Sequence, residues 1–170
     1  EILADELKMT FLQVSERCKQ MAEINPMLGK RGVRLGIILP ELYKMQVKAI
    51  IKASISVYGK NQKEFPPEIM LPMVSSFKEV NLLKKLIDDV VAEITKEFNF
   101  PINYKLGVMV ETPRAALKAG ELAVISSFLS FGTNDLTQMT YGLSRDDSGT
   151  FMRDYLESCN IIRIHSFKHC

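Results

Sequence analysis

Apolar positions near the start of the chain recur at steps of three and four. Leu7, Phe11, Val14, Cys18 and Met21 form one stripe, which predicts a helix over residues 5–22. The segment NPMLGKRG, residues 25–32, then interrupts the period with an Asn-Pro pair and two glycines. A short apolar stretch follows at 35–39. Pro40 suits the first turn of a second helix, with Leu42, Met45, Ala49, Ile50, Ala53 and Val57 as its expected inner face and Gly59 as its end. Residues 60–67, which contain Pro66 and Pro67, read as a polar loop.

From residue 68 the period alternates between strand and helix. EIMLPMV, residues 68–74, reads as a short buried strand. Ser76 followed by Glu79 has the spacing of a capping box and opens a long helix to about Phe98, with Val80, Leu83, Ile87, Val90, Ile94 and Phe98 on one face. KLGVMVE, residues 105–111, is almost unbroken in its apolarity, as expected of a strand covered on both faces. Thr112 and Pro113 open a further helix to about Leu122, and SSFLSF, residues 126–131, is the next strand. NDLTQMTYG winds into a short helix, and a last helical piece spans about 149–157. This gives about four strands with helical crossovers, hence βαβ units and a parallel sheet. A closed (β/α)8 barrel takes about 250 residues. The pattern therefore implies an α/β fold that is either a small open sheet or part of such a barrel.

The totals add little beyond a globular domain. The chain has 170 residues, 46% apolar and 25% charged, with a net charge of +2. That charge gives no argument for a nucleic-acid or membrane partner. No apolar run approaches the roughly 20 residues that span a bilayer, and EILADELKMTF is not a secretory signal. Three cysteines, Cys18, Cys159 and Cys170, at unrelated spacings fit a reducing compartment. The expectation is a cytoplasmic protein.

Candidate chemistry gathers at two strand ends. Glu111 closes one apolar strand, and Asp135 lies just past the next, 24 residues on. In parallel α/β folds ligands sit at the carboxyl ends of strands. Two acids on that rim can hold a hard cation, act as an acid/base pair, or solvate a loop. Two carboxylates suit Mg2+ better than Ca2+, because Mg2+ leaves the rest of its octahedron to substrate and water. Gly132 lets the backbone approach a ligand closely, and the amides of Thr133, Asn134 and Asp135 at a helix start favour an anion. Arg145 adds a fixed positive charge. These features suit a small substrate bearing phosphate and carboxylate. The alternatives are plain ones: Thr-Asn-Asp as a helix cap, Glu111 as a loop acid, and Arg145 paired with Asp146 or Asp147 at the surface.

VMVETPRAAL, residues 108–117, and FLSFGTNDLTQMTYGLSRDD, residues 128–147, closely resemble the C-terminal barrel domain of the phosphoenolpyruvate-utilising enzymes. NPMLGKRGVRLGI, residues 25–37, and IMLPMVSSFKEV, residues 69–80, resemble further segments of it in the same order. The resemblance covers about residues 5–157, and its wording is nearest to the dikinase branch, with the synthase and phosphotransferase-system enzyme I as the other branches. It implies a (β/α)8 barrel that binds phosphoenolpyruvate or pyruvate with Mg2+. Glu111 and Asp135 match the family's metal-binding acids. Gly132, Thr133 and Asn134 match its substrate loop, and Arg145 matches a substrate-contacting arginine. Arg31 and Arg34 lie in a motif near the site. The implied chemistry is phosphoryl transfer between phosphoenolpyruvate and a histidine on a separate phosphohistidine domain. In the dikinase branch this interconverts ATP, pyruvate and phosphate with AMP, phosphoenolpyruvate and diphosphate. A homo-oligomer is also implied.

The resemblance has gaps. The family's two phosphoryl-clamping arginines precede anything in this chain, and no segment resembles GICGEHGG, whose cysteine protonates the enolate. The expectation is therefore a barrel present only in part over 1–157 and a tail over 158–170 outside the family pattern. No catalytic residue is assigned. His165 and His169 are not the phosphorylated histidine, and His165, His169 and Cys170 are too few for a metal centre. A part-barrel leaves open strand edges, so marginal stability and association are expected, and a catalytically silent remnant is the rival reading.

Overall fold

Strand β1 (Glu68–Leu71), β2 (Lys105–Val110) and β3 (Phe128–Phe131) form one parallel sheet in the order β1-β2-β3. Leu71 pairs with Val108, and Val110 with Phe131, so the carboxyl ends of all three strands lie along one rim. The computed structural model describes residues 2–21 and 27–159. The chain forms two compact units, Glu1–Arg31 and Gly32–Cys170.

In the first unit the expected single helix is two, α1 (Ile2–Leu7) and α2 (Phe11–Met21). Lys8 adopts a left-handed φ of 53°. Its amide donates to the Asp5 carbonyl and the Met9 amide to the Ala4 carbonyl, a Schellman ending. Thr10 then starts α2 with a reciprocal cap: its amide donates to Gln13 Oε1, and the Gln13 amide donates to Thr10 Oγ1. Local side-chain bonding here outcompetes the continuous period. No residue of α2 is buried, so the predicted stripe is not a core face.

The second unit begins with α3 (Val33–Ile38) and α4 (Pro40–Tyr58), joined at Leu39. The apolar stretch at 35–39 is therefore helical, and the described residues contain three strands rather than about four. Pro40 does open α4, and Gly59, with φ 54°, ends it. Its inner face is Val47, Ile51, Ser54 and Ile55, not the expected set: Met45, Ile50 and Val57 are exposed. Apolar residues lie on more than one side of this helix, so the period does not fix which side packs. A 3-10 turn (Gly59–Glu64) follows, held by Gln62, which exchanges two hydrogen bonds with the Asn103 backbone.

Helix α5 (Phe77–Phe98) connects β1 to β2 and follows its pattern closely. Val80, Leu83, Ile87, Val90 and Ile94 are buried, while Phe98 is partly exposed. Both halves of the capping box are made: the Glu79 amide donates to Ser76 Oγ, and the Ser76 amide donates to Glu79 Oε2. Ser76→Ala should lower unfolding stability by about 1 kcal/mol, read by urea denaturation. A loss near zero would mean the cap contributes nothing.

The β2–β3 connection is α6 (Pro113–Leu117) and α7 (Ala119–Ala123), split at Lys118, rather than one helix. Beyond β3 come α8 (Thr133–Tyr141), α9 (Arg145–Ser148) and α10 (Met152–Ser158). One core joins β1 and β2 to α4, α5, Ala115 and Leu122. Among the described residues no helix is long and apolar enough to cross a membrane. Of the expected tail 158–170, Ser158 ends α10 and Cys159 is exposed, while His165, His169 and Cys170 lie outside the described residues.

Candidate functional site at the carboxyl ends of the strands

The ends of the three strands are stitched together by groups from neighbouring segments. Glu111, the first residue after β2, is 5% exposed. Its Oε1 accepts the Met73 amide at 2.6 Å, two residues beyond β1. Thr112 Oγ1 donates to the Val74 carbonyl at 2.9 Å and accepts the Ala115 amide at 3.1 Å, capping α6. The Gly132 amide, just past β3, donates to the Val110 carbonyl at 3.0 Å.

Gly132 has a spatial reason to be glycine. A Cβ there would lie 2.5 Å from Glu111 Oε2, 2.6 Å from Glu111 Cβ and 3.1 Å from Met109 Sδ. The Glu111 side chain thus passes across the position that a side chain at 132 would fill. The sequence suggests a ligand approaching this glycine closely; in the structure the approaching group is the Glu111 carboxylate of the chain itself.

Gly132 is also the N-cap of α8 and brings no side chain to cap it. Thr133, Asn134 and Asp135 are the first three helical residues, so the capping role suggested by their order falls to the residue before them. Their amides make the positive end of the helix. Asp135 is 8% exposed, in the first turn of a helix whose cap residue touches Glu111. Two acids removed from water thus stand on one rim.

Arg145 does not take the surface pairing with its neighbouring aspartates. Its guanidinium Nη1 donates to Asn134 Oδ1, and its backbone amide donates to Gln138 Oε1 at 2.8 Å. Its Nε is buried without a hydrogen-bond partner among the described residues. Asn134 and Arg145 are therefore brought together, as are Glu111 and Gly132. Arg31, in the first unit, donates to the Met27 carbonyl at 3.4 Å, and Arg34 lies on α3.

Sequence reasoning missed Met73, Gly32, Thr112 and Gln138 as parts of this neighbourhood. Thr112 gave a signal as the residue before a Pro-initiated helix, and the other three lie inside the segments IMLPMVSSFKEV, NPMLGKRGVRLGI and FLSFGTNDLTQMTYGLSRDD that resemble the family. Among the described residues no cluster of three or more His, Cys, Asp or Glu is placed to hold a metal ion. Zinc-type sites built wholly from protein ligands need such a cluster. A cation held by two carboxylates and completed by substrate and water does not.

Residues 5–165 match the family described as PEP-utilising enzyme, PEP-binding domain. The chain is 44% identical over 155 residues to the pyruvate, phosphate dikinase of Rickettsia prowazekii, covering 91% of this chain and 18% of that protein. Against the Clostridium symbiosum pyruvate, phosphate dikinase it is 42% identical over 156 residues, 92% of this chain and 18% of that protein. Against the chloroplastic pyruvate, phosphate dikinase of Mesembryanthemum crystallinum it is 48% identical over 151 residues, 89% of this chain and 16% of that protein. The chain thus spans less than a fifth of the length of these curated relatives. Its strand-end rim, with ETPR after β2 and GTND after β3, lies inside the matched region, and the chain belongs to the family of PEP-utilising enzymes, through their PEP-binding domain.

Proposed function

We propose that the rim is the phosphoenolpyruvate- and pyruvate-binding part of a pyruvate, phosphate dikinase, with Mg2+ as its cation. The observation that supports this most is the placing of Glu111 against Gly132, one helical turn before the buried Asp135. Two mostly buried acids at one rim supply the hard oxygen ligands that a shared Mg2+ takes. The orphaned Arg145 Nε favours an anionic ligand beside that cation.

Glu111 and Asp135 would hold Mg2+, and the family membership supports this choice of residues. When bound, Mg2+ supplies Lewis-acid stabilisation of the negative charge that develops on substrate oxygens during phosphoryl transfer. Arg145, oriented by Asn134, binds the anionic end of the substrate with a fixed donor set. The amides of Thr133, Asn134 and Asp135 add the positive end of α8. The phosphoryl group passes between phosphoenolpyruvate and a histidine on a phosphohistidine domain, so the reaction needs that domain as partner. A barrel with strands in sequential order accounts for the β1-β2-β3 arrangement. A cytoplasmic setting and a homo-oligomer complete the proposal.

Calorimetric titration of the chain with Mg2+ and then phosphoenolpyruvate tests it. Heat of binding is expected for the native chain and a loss of at least about tenfold in Mg2+ affinity for Glu111→Ala and Asp135→Ala. Equal heats in all three proteins would remove the assignment.

A further inference from the structure

Met73 has an unusual backbone. It is a non-glycine residue at φ 58°, and its side chain is 1% exposed. Left-handed backbone is unfavourable for an ordinary L-residue and persists where its surroundings impose it. Here that conformation accompanies the 2.6 Å bond from the Met73 amide to Glu111 Oε1.

The surroundings that impose it come from the glycine of RGVRLG. Gly32, at φ 55°, packs so closely that a Cβ on it would lie 2.8 Å from Met73 Cβ and 3.1 Å from the Pro72 carbonyl oxygen. The Val33 amide donates to that same Pro72 carbonyl at 3.0 Å. Tyr43 Oη donates to the Gly32 carbonyl at 2.8 Å and so ties the glycine to α4. A continuous line of contacts therefore runs from Tyr43 through Gly32 and Pro72–Met73 to Glu111 and on to Gly132.

We propose that Met73 is a positioning residue for Glu111, acting through its strained backbone amide, and that Gly32 is the buttress that keeps it in the left-handed state. The inference rests on the reading of Glu111 as a Mg2+ ligand. It gives RGVRLG a role through its first glycine rather than through its arginines. With Oε1 committed to Met73, Glu111 is held in one orientation before any ligand arrives, and the entropy of fixing it is already spent. Partners that orient a metal ligand in this way typically change metal affinity by about 10–100-fold when lost.

Backbone positioning and side-chain packing predict opposite orders for two variants. Met73→Gly keeps the amide and favours positive φ, but removes a buried side chain. Met73→Val keeps more of the volume, but a β-branched residue resists positive φ. Each purified chain is titrated with Mg2+ alone, its thermal midpoint is measured, and hydrogen exchange of the amide at 73 is followed. Met73→Gly is expected to lose more thermal stability yet bind Mg2+ as the native chain does. Met73→Val is expected to bind about tenfold more weakly or worse, with a faster-exchanging amide at 73. Gly32→Ala should weaken Mg2+ binding, and adding Met73→Gly should restore part of it, because the atom the new methyl strikes is gone.

Affinity that falls in step with thermal stability, worst in Met73→Gly, would overturn the inference. Native chain that takes up no Mg2+ would defeat the proposed function. The exchange data would still judge the buttress: protection at 73 in native chain and Met73→Gly, lost in Met73→Val and Glu111→Ala, upholds it, and unprotected native amide rejects it.

Discussion

Gly132→Ala is expected to dismantle the strand-end rim while leaving the rest of the sheet recognisable. The added methyl would sit 2.5 Å from Glu111 Oε2 and 2.6 Å from Glu111 Cβ. The second contact matters more, because that atom is fixed to the main chain just after β2 and cannot swing aside as a side-chain tip can. Either the end of β3 moves off β2, breaking the bond from the Gly132 amide to the Val110 carbonyl, or Glu111 is driven out. In the second case the Met73 amide loses its acceptor in a buried place. Overpacking and the orphaned amide together should cost about 2–5 kcal/mol. Urea denaturation reads the stability, and Mg2+ titration should be flat. Gly120→Ala is the matched control. That glycine lies in α7 with nothing within 4 Å of a new Cβ, so alanine there should be neutral or stabilise by up to about 1 kcal/mol. Equal behaviour of the two variants would show that Glu111 does not lie across Gly132.

Ile87→Ala should be the most damaging change in the core. Ile87 is fully buried on α5, within the cluster that joins that helix to β1, β2 and α4. Removing the side chain leaves a cavity between layers that cannot simply close, at a cost of about 2–5 kcal/mol. Whole domains have only about 5–15 kcal/mol of stability, and among the described residues β1 and β3 each pair with a strand on one side only. A large rise in the unfolded fraction is expected, read by the denaturation midpoint and by circular dichroism. Leu82, on the same helix but 52% exposed, gives the comparison: Leu82→Ala should stay within about 0.5 kcal/mol. Similar losses at both positions would mean that α5 presents a different face to the sheet.

The contrast between α5 and α4 shows what a period can fix. In α5 the charged residues fall opposite Val80, Leu83, Ile87, Val90 and Ile94, so only one face can be buried, and Ser76 with Glu79 marks where it starts. In α4 apolar residues occupy several faces, and the packed one is chosen by α3 and α5 against which the helix lies. The run at 35–39 is too short for its period to separate strand from helix. The break at Lys8–Thr10 was written in Thr10 and Gln13, a capping pair concealed within an apparently continuous stripe.

The sequence alone determined the parallel α/β order, the long capped helix, the acids at two successive strand ends, and the family. The first three follow from local spacing, because caps, periods and strand-end residues lie within a few positions of one another; the family follows from the resemblance of whole segments such as FLSFGTNDLTQMTYGLSRDD. Tertiary structure alone decided the inner face of α4, the partner of Arg145, the carboxylate that fills the space above Gly132, and the left-handed Met73 that holds Glu111. The Met73–Glu111 bond joins residues 38 positions apart, and whether a backbone amide faces a carboxylate depends on how two strand ends are packed together, a relation that no local pattern of residues encodes.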